Sequence, residues 1–158
     1  MRHKKVQKRI IEGDKIYGDI LVAKLINCLM RDGKKSVAEK VVYGALAIIG
    51  EKQKDNPLSI FGRSIQNIGP RQEVKARRVG GASYQIPSEV RAERRTSLSI
   101  RWILEAAASR SNKEYHTFAE KLAAEVLDAS QNLGAAVKKK DNMQRMAEAN
   151  RAFAHFRW

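Results

Sequence analysis

Two short runs of mixed apolar and polar residues lie on either side of Gly80-Gly81, and they constrain the fold of this chain more than any other feature. A glycine pair between such runs is typical of a two-residue β-hairpin turn, because both turn positions need a positive φ. We expect Pro87 to end the second strand, since proline cannot donate to a ladder. Segment 72–88 is therefore predicted to be a β-hairpin. The apolar residues of its two runs are Val74, Val79, Tyr84 and Ile86.

The hairpin and the helix predicted after it are strongly basic. The stretch Arg71–Arg101 contains eight Lys or Arg residues against three acidic ones. The whole chain has 31 Lys and Arg, 17 Asp and Glu, and a formal net charge of +14. This excess is larger than solubility requires, which indicates phosphate backbones or anionic membranes as partners. We take nucleic acid as the first hypothesis.

Composition and periodicity predict one mainly α domain. With 158 residues and 43% hydrophobic content, the chain can bury a core. Asn56-Pro57 predicts a helix start with a first-turn proline, and Ser36 with Glu39 has the spacing of a capping box. Apolar spacings of three and four predict six helices, with the hairpin between the third and fourth. They cover about 20–31, 37–52, 57–68, 91–110, a stripe from Tyr115 to Leu127, and 134–153.

The same patterns predict which parts form the core. Apolar residues surround most of the first helix, so we expect it to be central. Cys28 lies in that apolar run and is the single cysteine, which predicts a buried thiol in a reducing compartment. Trp102 has core spacing in the fourth helix, and Leu122 lies at the centre of the fifth. Residues 1–15 are polar and basic, which predicts an N-terminal arm attached to a domain of residues 16–158.

The residues give no argument for an enzyme. The chain has no phosphate-binding glycine motif, and its three histidines lack metal-ligand spacing. A single cysteine also excludes a zinc site built from several thiolates. No catalytic residue, metal or cofactor is therefore predicted. The acids Glu105, Glu114, Glu120 and Glu125 are expected on solvated helix faces. With no run of 18 apolar residues and no apolar secretory core at the start, we also expect no membrane partner.

Two other classes of protein compete with an RNA-binding one. A DNA-architectural protein could use a basic hairpin as a minor-groove arm, although such arms commonly place an apolar or proline wedge at the tip. Here the tip is Gly80-Gly81, and Pro87 lies at the base. An RNA-modifying enzyme would need a cofactor motif, and none is present. A preference for structured RNA over duplex DNA would decide between the first two classes.

Four blocks of sequence point to one protein family. It closely resembles the bacterial-type small-subunit ribosomal protein seven family, from about Asp14 to Trp158, in order and spacing. A departure from the family pattern is Gly69 before Pro70, where a basic residue is common. The four blocks are RDGKKSVAEK (31–40), VKARRVGGASYQIPSEVR (74–91), AAVKKK (135–140) and RMAEANRAFAHFRW (145–158).

The resemblance implies a function. Members of the family are primary binders of the 3′ domain of small-subunit ribosomal RNA and seed assembly of the subunit head. The resemblance further implies a place where messenger RNA and exit-site transfer RNA pass, with the hairpin facing them. It implies contact with ribosomal protein eleven and, in some bacteria, binding to the protein's own messenger. The expected location is the cytoplasm, in the small ribosomal subunit, and an organelle's ribosome is left open.

The resemblance also implies which residues contact RNA. They belong to the basic arm, the DGKK turn, the hairpin, the start of the fourth helix and the last helix. They are Arg2, Lys4, Lys5, Arg9, Lys34, Lys35, Lys75, Arg77, Arg78, Arg91, Arg94, Arg95, Lys138, Lys139, Lys140 and Arg145.

Overall fold

Six α-helices and one hairpin form the described part of the chain, which in this computed structural model comprises residues 10–53 and 55–156. The predicted mainly α class, with a two-stranded antiparallel hairpin between the third and fourth helices, is confirmed. A short 3-10 helix, the C-terminal 3-10 helix, follows the sixth α-helix. The elements are α1 (Ile20–Leu29), α2 (Lys35–Lys52), α3 (Pro57–Ile68), β1 (Gln72–Val79), β2 (Ala82–Glu89), α4 (Ala92–Ser109), α5 (Phe118–Ser130), α6 (Ala135–Ala149) and the C-terminal 3-10 helix (Arg151–Phe156).

Helix starts follow local hydrogen bonding, with one correction. The Asn56 side chain accepts a hydrogen bond from the Leu58 backbone N–H, and Pro57 opens α3 as predicted. The capping box predicted at Ser36 is wrong, because α2 already begins at Lys35 and Ser36 lies inside its first turn. The reciprocal box belongs to α5, where the Thr117 hydroxyl and the Glu120 carboxylate each accept from the other residue's backbone N–H.

The central helix is α5, and not α1 as predicted. Helix α5 packs against α2, α3, α4 and α6, and each residue of its 121–126 segment is buried. Helix α1 packs against α2 and α4 and buries one face, which includes Leu25. Its other face is left to solvent, so Cys28 is exposed and the prediction of a buried thiol is wrong. Apolar residues around a short helix therefore did not mean burial on all sides.

The hairpin has the predicted turn but a longer second strand. Gly80 and Gly81 have φ of 58° and 93°, which a turn between paired strands requires. Strand β2 continues through Pro87, which lies opposite Val74, so the prediction that Pro87 ends the strand is wrong. In a two-stranded sheet each strand is an edge strand, and an edge tolerates proline because only one side needs donors.

The C-terminal part of the chain packs against this hairpin. Helix α6 contacts both strands, and the C-terminal 3-10 helix contacts β2. The Tyr84 ring centroid lies 5.1 Å from that of Phe153 and 5.5 Å from that of Phe156. The predicted last helix, 134–153, is thus two elements, since α6 ends at Ala149. Part of one hairpin face therefore packs against the C-terminal 3-10 helix.

A buried carboxylate fastens the start of the described chain to α2. Asp14 accepts hydrogen bonds from the backbone N–H groups of Ile16 and Tyr17, and from the Tyr43 hydroxyl at 2.7 Å. Burial acts to raise the pKa of Asp14, but these hydrogen bonds outweigh it and the pKa is lowered. Burial and the Asp14 charge together raise the pKa of Tyr43 to about 12. The pair is therefore a carboxylate and a neutral phenol at neutral pH.

Within the described residues, no helix combines the length and the hydropathy that crossing a membrane requires.

Candidate nucleic-acid interface

The described part of the chain contains twelve of the sixteen predicted RNA-contacting residues. The other four, on the basic arm, lie outside the described residues: Arg2, Lys4, Lys5 and Arg9. The twelve belong to the α1–α2 turn, the hairpin, the start of α4, and α6.

The hairpin and the start of α4 bring four of these cations together. Lys75 and Arg77 alternate along β1 and so share a face, while Arg91 is the N-cap residue of α4 and Arg94 lies in its first turn. All four line a cleft of about 570 Å³, here named the hairpin cleft. Arg78 is exposed on the opposite hairpin face. The sequence could not show this convergence, because it depends on the Arg94 side chain reaching Glu73 on β1.

A buried carboxylate joins the two sides of the hairpin cleft. Glu73 is 6% exposed, and its oxygens lie 2.9 Å from Lys75 Nζ and 2.8 Å from Arg94 Nε. Burial acts to raise the pKa of Glu73, but the hydrogen bonds and charges of Lys75 and Arg94 outweigh it and the pKa is lowered. Glu73 is therefore ionised at neutral pH, and the three side chains together retain one positive charge.

Arg95 connects α4 to the end of α3. It is half-buried, and its Nε donates a hydrogen bond to the Pro70 carbonyl oxygen at 3.1 Å. A Cβ added to Gly69 would lie 2.8 Å from Arg95 Cγ and Cδ. Gly69 therefore leaves room for the Arg95 side chain. A contact of Arg95 with RNA stays a prediction, and this residue also has a structural role.

Further along α4, Arg101 lies at the edge of a second depression. This α1–α2 groove, about 1000 Å³, lies between the end of α1, the start of α2, α4 and the start of α5. Lys34 lines it too, and Lys35 is exposed beside it as the first residue of α2. Arg31 and Arg101 also line the groove but were not among the predicted contacts. Arg101 could have been found, because it follows Arg94 by seven residues, or two helical turns on one face.

Helix α6 presents a third set of cations. Lys138 and Arg145 are exposed, and their separation of seven residues places them on one face. Lys139 Nζ lies 2.6 Å from Glu105 Oε2 and 5.9 Å from the Trp102 ring centroid. Lys140 Nζ lies 3.4 Å from Asp141 Oδ1. Lys138 and Arg145 are therefore the members of this set best placed to contact a partner.

The start of α6 is held by Glu125, which is 1% exposed, so its prediction as a solvated residue is wrong. Its Oε2 lies 2.6 Å from an Arg110 guanidinium nitrogen, which also pairs with Asp128. Its Oε1 accepts a hydrogen bond from the Ala136 backbone N–H at 3.0 Å. Burial acts to lower the pKa of Arg110, but Asp128 and Glu125 outweigh it and the pKa is raised. This ion cluster, Arg110–Glu125–Asp128, joins α4, α5 and α6.

Among the described residues, the one sheet is the two-stranded hairpin, and its aromatic residue, Tyr84, packs against protein. Trp102 is 5% exposed, which confirms its prediction as a core residue. Tyr84 packs against the C-terminal 3-10 helix. Among the described residues, no group of three or more His, Cys, Asp or Glu side chains could hold a metal ion.

Comparison with known proteins identifies the family. The model of the family described as Ribosomal protein S7p/S5e matches residues 1–151. Small ribosomal subunit protein uS7 of Thermotoga neapolitana is 54% identical over 158 residues, covering 100% of both chains. The chain belongs to this ribosomal protein seven family. Its likeness to uS7 of Geotalea daltonii is 57% over 157 residues, and to uS7 of Azorhizobium caulinodans 52% over 157 residues, each covering 99% of both chains.

Family membership decides the class of function. As a ribosomal protein seven, the chain is a structural protein of the small ribosomal subunit, and the prediction that it is not an enzyme is confirmed by the family. RNA binding and a role in translation are consistent with the same membership. In bacteria the small ribosomal subunit is in the cytoplasm.

Proposed function

We propose that this ribosomal protein seven is a primary binder of the 3′ domain of small-subunit ribosomal RNA and nucleates assembly of the subunit head. In the assembled subunit the hairpin lies at the path of messenger RNA and exit-site transfer RNA. Ribosomal protein eleven is a neighbour. The predicted RNA-contacting residues of the arm, the α1–α2 turn, the hairpin, α4 and α6 make these contacts.

One observation carries the proposal. The exposed side of α4 joins two basic surfaces, the hairpin cleft with Lys75 and Arg91 and the α1–α2 groove with Lys34 and Arg101. Two of the acids among these cations are engaged within the protein, Glu73 by Lys75 and Arg94, and Glu105 by Lys139. Two basic surfaces, each with more cations than acids, favour a structured polyanion over a single small ligand.

The first test is the salt dependence of RNA binding. Filter binding to a transcript of the ribosomal RNA 3′ domain should show log K falling steeply with log salt. With ~6–10 phosphates neutralised, affinity should fall by roughly 10³–10⁵ between low and moderate salt. Duplex DNA of equal charge is the competitor. A flat salt dependence, or equal competition by the DNA, would contradict the proposal.

The second test separates the hairpin from the body of the protein. The body pair is Lys138→Ala with Arg145→Ala, both exposed on one face of α6. It should weaken binding to the isolated RNA domain more than the hairpin pair, Arg77→Ala with Arg78→Ala. The hairpin pair should instead lower exit-site transfer RNA occupancy in reconstituted subunits.

Circular dichroism controls for folding in both variants. Arg94 and Arg95 are avoided because both hold the fold together, through Glu73 and the Pro70 carbonyl. If the hairpin pair loses far more RNA-domain affinity than the body pair, with both proteins folded, the division between hairpin and body is wrong.

A further inference from the structure

The α1–α2 groove combines an apolar floor with an open mouth. Its floor includes Val41, Leu104 and Phe118, which are half-buried, and Ala38, which is buried. Val37 lies on the same lining and is 55% exposed. Its volume, about 1000 Å³, is at the upper end of the range for ligand pockets, ~300–1,000 Å³. The groove therefore offers apolar surface that the fold itself does not cover.

Cations surround this apolar surface. Arg31 and Lys34 come from the turn after α1, and Arg101 comes from α4 on the opposite side. All three are exposed, and within the described residues none of them forms an ion pair. Two acids, Asp32 and Glu105, also line the groove, and Glu105 is already paired with Lys139. The charge of the mouth is therefore positive.

A nucleotide has the complementary chemistry. Its base is a flat apolar ring that stacks on apolar and aromatic side chains, and its phosphates pair with Lys and Arg. A peptide would also suit an apolar groove, but three cations at the mouth favour an occupant with repeated negative charge. The groove also adjoins Lys34 and Lys35, which are proposed RNA contacts, so an RNA strand on that turn lies at its mouth.

We infer that the α1–α2 groove receives an unstacked base of the small-subunit ribosomal RNA, while Arg31, Lys34 and Arg101 hold the flanking phosphates. The inference rests on the proposed function and adds base recognition to backbone contacts. Single-stranded and bulged nucleotides are the elements that proteins recognise in this way. The groove thus gives this protein a site that reads the base, beside surfaces that contact only phosphate.

The groove contains its own chemical probe. Cys28 is the single cysteine of the chain, is exposed, and lines the groove. The RNA is the 3′-domain transcript. The measured quantity is the rate at which a maleimide modifies Cys28, with and without saturating transcript. We expect the RNA to slow modification strongly. An unfolded-protein control in denaturant gives the rate for a fully accessible thiol.

A pair of matched variants tests the same site by affinity. Val37→Glu places a negative charge on the groove lining, whereas Ala47→Glu places the same charge on an exposed position of α2 outside the lining. Val37→Glu should weaken transcript binding by about tenfold relative to Ala47→Glu, comparable with losing one stacked base. Because both positions are exposed, circular dichroism and melting should be nearly unchanged.

The outcomes separate this inference from the proposed function. Unchanged Cys28 reactivity in a complex that filter binding shows to be formed overturns the base site and leaves the proposed function intact. Equal affinities of Val37→Glu and Ala47→Glu for the transcript also overturn the base site and leave the proposed function intact. Protection of Cys28 only in assembled subunits, and not in the complex with the transcript, overturns the inference that this transcript supplies the base. Failure of the wild-type protein to bind the transcript at all refutes both.

Discussion

Two ion pairs of equal length should differ greatly in their contribution to stability. Arg110–Glu125 and Lys139–Glu105 both have an N···O distance of 2.6 Å. The Glu125 side chain is 1% exposed and that of Glu105 is 61% exposed. Both pairs join a basic residue to a glutamate. Comparing them therefore shows how burial changes the contribution of an ion pair to stability.

We expect Glu125→Ala to destabilise the protein far more than Glu105→Ala. Removing one partner of a buried ion pair costs ~3–5 kcal/mol, because the remaining charge stays desolvated. Here the substitution also leaves the Ala136 N–H without its acceptor. An exposed pair contributes only about 0–1 kcal/mol. For a domain of this size ~1 kcal/mol corresponds to about 2–4 °C, so Glu125→Ala should lower Tm by roughly 6–20 °C.

Thermal unfolding followed by circular dichroism measures both variants. A third variant, Glu125→Gln, keeps the size of the side chain and an oxygen for the Ala136 N–H, but removes the charge that Arg110 pairs with. Its Tm should lie between those of wild type and Glu125→Ala. If Glu125→Ala and Glu105→Ala melt at the same temperature, burial does not control these pairs and the reasoning is refuted.

Three further predictions concern the core, pH and the arm. Leu25→Ala and Leu122→Ala, at positions 2% and 1% exposed, should each cost ~2–5 kcal/mol; an unchanged denaturant midpoint would show that the residue is not in the core. Because the pKa of Asp14 is lowered by folding, its contribution is present above the unfolded value of about 4 and is lost as pH falls through the folded value. Asp14→Asn should therefore be less stable at pH 7 and lose less stability than wild type on acidification, and parallel pH profiles in denaturant titrations would refute this. Deleting residues 2–9 should weaken RNA binding with little change in Tm, whereas a large drop in Tm would show that the arm belongs to the fold.

Local signals in the sequence determined the elements and their order. Gly80-Gly81 set the turn because two successive positive φ values exclude most other residues, and Asn56-Pro57 set the start of α3. These signals act over a few residues, so they can be read without knowing the fold. The sequence also determined the family, and with it the class of function, because its matching blocks are spread along the chain.

Only the tertiary structure decided which surfaces are covered. The apolar residues of α1 suggested a central helix, yet among the described elements α2 and α4 are its main packing partners, and Cys28 is exposed. Glu125 had the pattern of a surface residue, but the approach of α4 and α6 buries it against Arg110 and the Ala136 N–H. Periodicity tells which face of a helix is apolar. The number of neighbours that cover the face depends on contacts between residues far apart in sequence, and those contacts also gathered the cations of the hairpin cleft.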